Sequence, residues 1–528
     1  MILAVVLGLA WKARVEWPAV PLADGDTWGY LRPALTWLSG AGFQQTEGRD
    51  WPYPAMLALF LKMTGSFSGI VEGQRFLGML SGIFMAITWR CWVSMLPVQR
   101  WVRFVASCLG VVPIYVQLVN QESIFLEVSI RPEAVLPCFV YGQLACLMGY
   151  CKYRWQTPRA LPTLLLGGAA IVLACGCALL KPSWYFSAAA TVAPVFAGCF
   201  GHALSRRIRL VTPALGMAAA VLFLSLPARA WFIRDQTSGT FLAINIFGVH
   251  AEFIERYFEA KLAVLPDADP DKARLRSLQE VLKSEIHTAG HTGKVYEKLG
   301  FNPDYLMHSP IMGEALNRYT GNDRKKFSSF CLQSYRNAVL YDPAGYTRKV
   351  LDQFAYFVFP EPKTFFLDQF NVKKEYWTAA TVLYPDRITE LRPEVQEMYR
   401  AYGEEVKARS GTAMVLESYP KLSALRTVVS RCTPSGELLF LIALAVSLAW
   451  GPLHKLRLAG WAAFLLFLAP AQNAFEISII HALDIFRYRM TYGGYLLFAL
   501  TAMAVFICLV VAQTLDHWVA SRRARRAA

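Results

Sequence analysis

The sequence predicts an all-α protein that crosses a membrane many times and carries a large helical domain outside it. Of its 528 residues, 55% are hydrophobic and only 17% are charged. Most of the apolar residues lie in runs of about 20, the length that crosses a bilayer as a helix. These runs fall into two groups, one before residue 230 and one after residue 434, and a long polar stretch separates them.

The apolar runs define the predicted transmembrane helices. The first run, Met1–Trp11, has no basic residue before it and no convincing small-residue cleavage site after it. We therefore interpret it as a first transmembrane helix rather than as a signal peptide. The later runs bring the total to about ten spans. They cover residues 74–96, 102–119, 133–150, 161–180, 183–201, 210–229, 435–451, 458–476 and 490–514.

Basic residues set the predicted orientation of these spans. When the spans alternate in direction, every basic cluster falls on one side of the membrane, which by the positive-inside rule is the cytoplasm. The segments 17–73, 120–132 and 230–434 then lie outside, as expected for a protein of a bacterial-type inner membrane. Because the net charge of +15 is spread over short loops rather than over one soluble face, it does not indicate a nucleic-acid partner. The clusters are Arg100/Arg103, Lys152/Arg154/Arg159, Arg206/Arg207/Arg209, Lys455/Arg457 and Arg522/Arg523/Arg525/Arg526.

The chain therefore divides into three predicted parts. Residues 1–229 form an N-terminal transmembrane half that includes the first external loop, 17–73. Residues 230–434 form an extracytoplasmic domain, which is too long for a simple loop and shows helical periodicity between prolines. Residues 435–528 form the last transmembrane helices and a basic cytoplasmic tail. Cys331 and Cys432 lie in the external part, where a disulfide between them is an open alternative.

The most informative motif is Asp24-Gly25-Asp26-Thr27-Trp28-Gly29-Tyr30, directly after the first apolar run. Two carboxylates at a membrane surface are costly unless they react or find partners. Asp26 is the candidate general base, and Asp24 is better suited to cap the helix that follows. The spacing also allows a divalent metal at Asp24 and Asp26, although two carboxylates alone rarely hold Mg²⁺.

The order of several motifs resembles the first external loop and later segments of the glycosyltransferase C (GT-C) superfamily. The nearest branch is that of the protein mannosyltransferases and the lipid A aminoarabinose transferases. The resemblance covers the membrane half of the chain but not residues 250–430. The stretches that carry it are Asp26-Thr27-Trp28-Gly29-Tyr30, Trp51-Pro52-Tyr53-Pro54, Arg131-Pro132-Glu133, Arg234-Asp235-Gln236-Thr237-Ser238-Gly239-Thr240-Phe241 and Arg487-Tyr488-Arg489.

This resemblance implies an inverting transfer of a sugar from a polyprenyl-phosphate donor to an acceptor hydroxyl or amine at the outer membrane face. The acceptor would be a lipid, a glycan or a protein. Glu133 would be a second candidate acid–base residue beside Asp24 and Asp26. The donor phosphate would be held by cations and a hydroxyl, for which the candidates are Lys181, Arg234, Arg487 and Tyr488. Membrane lipids would surround the spans and an apolar groove would hold the prenyl chain.

Simpler interpretations exist for two of these residues. Lys181 precedes Pro182 and has the position of a lysine that reaches the membrane interface from a helix end. Glu133 has the position of an acidic residue at a helix start, where the helix dipole favours it. His287 and His291 have the spacing of a zinc helix, but no Glu follows His287, so a metalloprotease site is not indicated. We expect a solvated pair there.

Other functions fit the sequence less well. An oligosaccharide ligase or polymerase with a diphosphate-linked donor is the runner-up within the same class. A flippase or transporter of lipid-linked sugars would place ionisable residues near mid-membrane and show repeated halves, whereas here the candidate charges gather at the outer rim. A sensor with a ligand-binding external domain would not need Asp26 and Arg487 together.

Overall fold

The computed structural model describes residues 2–44, 49–200, 206–233, 237–292, 296, 298–358, 369–383, 388–417, 423–481 and 486–527. These residues are almost entirely helical, as the sequence predicts. The first part of the chain forms helices α1 (Ile2–Val15), α2 (Thr27–Leu38), α3 (Pro52–Thr64), α4 (Ser68–Ser94), α5 (Arg100–Leu109), α6 (Val111–Val119), α7 (Gln121–Val128), α8 (Leu136–Cys151), α9 (Ala160–Leu180), α10 (Tyr185–Thr191), α11 (Ala193–Phe200) and α12 (Arg206–Ile233).

The long polar segment and the C-terminal part continue this pattern. The polar segment begins with helices α13 (Thr237–Val249), α14 (Ala251–Val264), α15 (Pro270–His291), α16 (Pro303–His308), α17 (Pro310–Thr320), α18 (Arg324–Tyr341) and α19 (Pro343–Val358). They are followed by β1 (Gln369–Asn371), α20 (Val372–Val382), α21 (Pro393–Ser410) and β2 (Val415–Glu417). The chain ends with α22 (Ser423–Ala449), α23 (Arg457–Ile480) and α24 (Phe486–Ala527).

Six helical stretches among the described residues are long and apolar enough to cross a membrane. The remaining predicted spans also fall on helices, namely α1, α8, the α10–α11 pair and α12, but these lie outside the six. The fold class is therefore confirmed, and the count of about ten spans stays a prediction. The six stretches are Ser68–Ser94, Arg100–Val119, Ala160–Leu180, Thr427–Ala449, Gly451–Ile480 and Gly494–Arg526.

The polar segment, predicted as one domain over 230–434, contains two units with different cores. Helices α13 to α19 form what we call the helical unit. Most of its buried side chains pack in a cluster of their own, which includes Phe258, Leu282 and Leu316. The second unit, β1, α20, α21 and β2, is called the small α/β unit, and its buried residues belong instead to the large core that the N-terminal and C-terminal helices share. Its two strands pair antiparallel, with Phe370 opposite Leu416.

Prolines and polar caps explain where the helices of the helical unit begin. Helices α15, α16 and α17 each start with a proline, which has no N–H to lose at that position. The residue before each proline caps the helix, because its side chain accepts a backbone N–H bond from the first turn. These caps are Asp269, Asn302 and Ser309. Pro270, Pro303 and Pro310 of the polar segment are thus helix starts.

The two cysteines of the segment predicted to be external are both free. Cys331 is buried in the core of the helical unit, and Cys432 is exposed on α22. The disulfide that the sequence left open is therefore not formed. His287 and His291 lie near each other on α15, with ring centroids 4.6 Å apart.

Candidate active site

A short backbone pairing brings the first external loop against the segment before α8. Leu22 and Ser129 form a parallel bridge, in which Leu22 N–H donates to Val128 O at 2.8 Å and Ile130 N–H donates to Leu22 O at 2.9 Å. This pairing places the carboxylate of Asp24 in a salt bridge with Arg131. Two motifs that lie far apart in sequence are thereby brought together.

Asp24 caps helix α2. Its Oδ1 accepts backbone N–H bonds from Asp26 at 2.8 Å and from Thr27 at 3.1 Å, and its own N–H donates to the Thr27 hydroxyl at 2.8 Å. Asp26 occupies the N-cap position but makes no side-chain capping bond. The carboxylate of Asp26 is therefore not used to start the helix.

Asp26 faces an arginine that the sequence did not single out. Arg49 Nη2 lies 2.7 Å from Asp26 Oδ1, and the Asp26 side chain is 35% exposed. The same guanidinium lies over the ring of Tyr30, 4.7 Å from its centroid. Asp26 is thus an accessible carboxylate whose charge is stabilised by a neighbouring cation. Arg49 precedes the Trp51-Pro52-Tyr53-Pro54 stretch by two residues, which is the only sequence signal that pointed to it.

Two tyrosines lie between the charged pairs of the site. Tyr30 and Tyr53 form an edge-to-face aromatic pair with ring centroids 5.3 Å apart. Burial raises the pKa of Tyr30; the nearby Arg49 opposes this shift, and the charges of Glu133 and Asp26 add to it. Burial also raises the pKa of Tyr53 well above its ordinary value. Both phenols therefore stay protonated at neutral pH and act as neutral groups.

A chain of hydrogen bonds through Tyr53 and Gln74 links α3 and α4 to the segment that precedes Arg131. The Tyr53 hydroxyl donates to Gln74 Oε1 at 2.7 Å. Gln74 Nε2 in turn donates to Glu127 O at 2.7 Å and to Ser129 O at 3.1 Å. Helices α3 and α4 thus hold the strand-like segment that pairs with Leu22, so the position of Asp24 depends on all of these elements.

Glu133 and Lys181, predicted for separate roles, form one buried ion pair. Lys181 Nζ donates to Glu133 Oε1 at 2.9 Å. Glu133 lies in the 3₁₀ turn Pro132–Ala134, and Lys181 lies where α9 ends. Both residues are nearly inaccessible, and a buried charge is costly unless it is paired. Loss of one partner would therefore disturb the other.

A second buried ion pair lies deeper, where the sequence predicted no site. Arg14 at the end of α1 contacts Glu127 of α7 with both nitrogens of its fork, at 2.7 and 2.5 Å. It also donates to Leu118 O at 2.6 Å. Gly78 makes room for this pair, because a Cβ at that position would lie 2.1 Å from Glu127 Oε1. The pair fixes α7 just before the segment that carries Arg131 and Glu133.

The remaining predicted phosphate ligands are placed only in part. Arg234 lies outside the described residues. Arg487 and Tyr488 belong to the first turn of α24, and Arg487 lies seven residues before Gly494, about two helical turns. A Cβ at Gly494 would lie 1.3 Å from Gln117 Oε1 of α6, so α24 packs closely on α6 at that point. Their roles in phosphate binding stay predictions.

The divalent metal that the sequence allows at Asp24 and Asp26 stays a prediction. Asp24 pairs with Arg131 and accepts two backbone N–H bonds, whereas Asp26 pairs with Arg49. Each carboxylate therefore contacts at least one arginine. Within the described part of the chain, no group of three or more His, Cys, Asp or Glu side chains has the arrangement of a metal site. We derive no chemical step through a metal.

No protein-family model and no curated protein sequence matches the chain. Among solved structures, the apo oligosaccharyltransferase of Archaeoglobus fulgidus is similar at a TM-score of 0.34 and 11% identity, over 99% of this chain and 51% of that one. The oligosaccharyltransferase AglB of the same organism, bound to an inhibitory peptide and a dolichol-phosphate, is similar at 0.33 and 10%, over 100% and 51%. ArnT from Cupriavidus metallidurans, bound to undecaprenyl phosphate, is similar at 0.30 and 11%, over 93% and 77%.

These structural neighbours are GT-C glycosyltransferases. The chain spans about half the length of the archaeal oligosaccharyltransferases that it matches. At these TM-scores the likeness assigns no role to any residue of this chain. What the chain does is therefore inferred from its own site.

Proposed function

We propose that the chain is an inverting glycosyltransferase that moves a sugar from a polyprenyl-phosphate donor to an acceptor hydroxyl or amine at the outer face of the inner membrane. The observation that carries this proposal is the position of Asp26. It is an accessible carboxylate that makes no capping bond and faces Arg49. It lies at the start of α2, which packs on α3, beside the Asp24–Arg131 pair and near the buried Glu133–Lys181 pair.

In the proposed reaction Asp26 accepts the proton of the acceptor group. The acceptor oxygen or nitrogen forms a bond to the anomeric carbon from the face opposite the leaving group. The bond from that carbon to the phosphate oxygen breaks, and the electron pair leaves with the polyprenyl phosphate. Configuration at the anomeric carbon is inverted because bond making and bond breaking take place on opposite faces.

The leaving phosphate needs positive charge and hydrogen-bond donors as its negative charge grows. Arg487 and Tyr488 at the start of α24 are the proposed donors, with Arg234 as a further cation. Lys181 is held against Glu133, so we assign it to the positioning of Glu133 first and to phosphate contact second. Glu133 is then a positioning carboxylate in the wild-type protein and the next candidate base.

The small α/β unit is proposed to border the acceptor side. The edge of Tyr399 on α21 meets the ring of Trp28 on α2, with centroids 6.1 Å apart. Tyr376 and Tyr402 donate through their hydroxyls to Val20 O at 2.6 Å and to Pro21 O at 2.8 Å. The unit is thus fixed to the loop that carries Asp26, and an acceptor that approaches Asp26 must pass beside it.

The donor is proposed to be lipid-linked for a chemical reason. Nucleotide sugars are not present outside the cytoplasm, and a membrane-embedded enzyme that works there needs a donor that crosses the membrane attached to a lipid. A diphosphate-linked oligosaccharide donor remains the second candidate. The two differ in the lipid released, which is a polyprenyl phosphate in one case and a polyprenyl diphosphate in the other.

Deletion of the gene, with mass spectrometry of lipid A, surface glycans and secreted proteins, tests the proposal. We expect one component to lose the mass of a sugar, and expression of the wild type but not of Asp26→Asn to restore it. The released lipid is then identified in membranes that contain the purified protein. Unchanged envelope components together with altered movement of a lipid-linked sugar across the membrane would favour a transporter instead.

A further inference from the structure

Side chains of the helical unit cap the C-terminal end of α23. The last turn of any α-helix leaves four carbonyl groups without a partner inside the helix. In α23 these are the carbonyls of residues 478–481. Lys349 Nζ donates to Ser478 O at 3.1 Å and to His481 O at 3.5 Å. His250 Nε2 lies 2.8 Å from Ile479 O, and Asn245 Nδ2 donates to Ile480 O at 2.9 Å.

The chemistry of these three side chains suits a buried helix end. The ammonium of Lys349 lies where the helix dipole is negative, a position that favours a cation. Because a carbonyl oxygen only accepts, His250 must carry its proton on Nε2. Burial lowers the pKa of His250 well below its ordinary value, and the charge of Lys349 lowers it further. The imidazole is therefore neutral at physiological pH and has one donor, aimed at α23.

The capping side chains are themselves fixed within the helical unit. The ring of His250 packs against Tyr335 and Tyr346, with centroids 4.8 and 5.4 Å away, and the hydroxyls of these tyrosines lie 2.8 Å apart. Lys349 is 8% exposed and Asn245 is 9% exposed. The cap is thus rigid on the side of the helical unit, and α23 is the element that it holds.

This helix end leads directly to the proposed donor-phosphate ligands. His481 is the C-cap of α23, and Arg487 and Tyr488 lie in the first turn of α24, which begins at Phe486. His481 also lies 3.6 Å from Asp304 of the helical unit. Only residues 482–485 separate His481 from Phe486, so the reach of the chain keeps the start of α24 close to the end of α23.

We infer that Lys349, His250 and Asn245 are positioning residues for the donor phosphate, because they fix the helix end from which Arg487 and Tyr488 are presented. This inference rests on the proposed function. It assigns a task to the helical unit, which the sequence resemblance does not cover: the unit braces the donor side of the site, while the small α/β unit borders the acceptor side. None of the three residues touches the donor in this scheme.

Binding of two probe lipids to the full-length protein in detergent tests this inference. Undecaprenyl phosphate carries the phosphate, and undecaprenol has the same chain without it. The wild type should bind the phosphate lipid more tightly than the alcohol. Lys349→Met should reduce that preference about tenfold or more, since small displacements of a binding group have large effects. Lys349→Arg, which keeps a cationic donor, should restore most of it.

Matched controls distinguish an effect on the position of the phosphate ligands from a general loss of stability of the helical unit. Leu282→Ala removes a side chain from the core of the helical unit and lowers its stability, but it should leave the preference for phosphate over alcohol unchanged. Lys325→Met removes an exposed lysine of α18 and should change neither property. Lys349→Met combined with Arg487→Lys should cost less than the sum of the two single effects, because both act on the same phosphate contact.

The outcomes distinguish this inference from the proposed function. A wild type that shows no preference for the phosphate lipid would contradict the proposed function itself. In the second case the wild type prefers the phosphate lipid, but Lys349→Met loses no more of this preference than Leu282→Ala does at equal thermal stability. That result would contradict the positioning role alone. If Lys349→Met does not fold, Asn245→Ala removes a single capping bond and should reduce the preference in the same direction.

Discussion

Arg49 lies 2.7 Å from Asp26 and closes one side of its accessible carboxylate. The guanidinium of Arg49 also lies over the ring of Tyr30. One face of the guanidinium is therefore held by the ring, and one edge is held by the carboxylate of Asp26. An acceptor that reaches Asp26 must therefore approach from the side that Arg49 leaves open. This relationship makes Asp26 and Arg49 the first residues to test.

Asp26→Asn should lower transfer by roughly 10²-fold or more, because the amide keeps the shape of the side chain but cannot accept the acceptor's proton. The protein should still insert and fold. Asp24→Asn is the matched control, since the amide oxygen still caps α2 and only the ion pair with Arg131 is lost. Turnover by purified protein measures both. Near-normal turnover of Asp26→Asn would move the base elsewhere, with Glu133 the next candidate.

Arg49→Met should lower turnover by about tenfold, less than Asp26→Asn, since it leaves the base in place but removes the cation that stabilises and orients it. Arg49→Lys should recover only part of the loss, because an ammonium does not lie flat on Tyr30 and pair with Asp26 as a planar fork does. Lys62→Met, at the far end of α3, serves as the control. An Arg49→Met variant faster than the wild type would show that Arg49 blocks the site.

Alkaline phosphatase fused near Asn322 should be active, and the same enzyme fused after Arg526 should be inactive. The prediction follows from the basic loops, which place the C-terminus in the cytoplasm and the helical unit outside. Enzymatic activity in intact cells is the measurement, and fusion amounts are compared by immunoblot. The reverse pattern would overturn the orientation and, with it, the argument for a lipid-linked donor.

Arg487→Lys should weaken donor binding markedly, whereas Arg489→Lys should have little effect. Residues two apart on a helix point about 200° apart, so only one of the two can face the donor, and the resemblance favours Arg487. A guanidinium binds two phosphate oxygens at once, which an ammonium does not. The KM for the donor measures the difference. Equal effects, or an effect of Arg489→Lys alone, would reverse the assignment.

The thermal stability of the wild type should fall more steeply below neutral pH than that of His250→Gln. The pKa of His250 in the folded protein lies below its ordinary value of 6.5. The unfolded chain therefore takes up the proton first, and stability is lost as the pH falls through about 6.5. The titratable and polar groups around this ring are Lys349, Tyr335, Tyr346 and the carbonyl of Ile479. Melting temperatures at a series of pH values measure the effect, and parallel curves for the two proteins would contradict it.

The sequence predicted what local patterns determine. Apolar runs located the helices, and the GT-C resemblance selected Asp26 and the loop around it. It did not reveal Arg49 as the partner of Asp26, or the pairing of Arg14 with Glu127, which lie 113 residues apart. Such pairs depend on how helices pack against one another, and the hydrophobic periodicity of the sequence does not show this packing. For the same reason, the buried residues of segment 230–434 divide between two cores in a way that the sequence does not show.

The capped end of α23 also has a consequence for synthesis. His250 precedes Ile479, whose carbonyl it binds, by 229 residues, and Lys349 precedes Ser478 by 129. The helical unit is therefore synthesised well before α23 leaves the ribosome, and it can fold first. Helix α23 then completes the hydrogen bonds of its C-terminal end only when it docks on the folded helical unit. The last two helices, α23 and α24, therefore reach their final positions only after the helical unit has folded. A chain with a misfolded helical unit would expose the unpaired carbonyl groups at the end of α23 to cellular quality control.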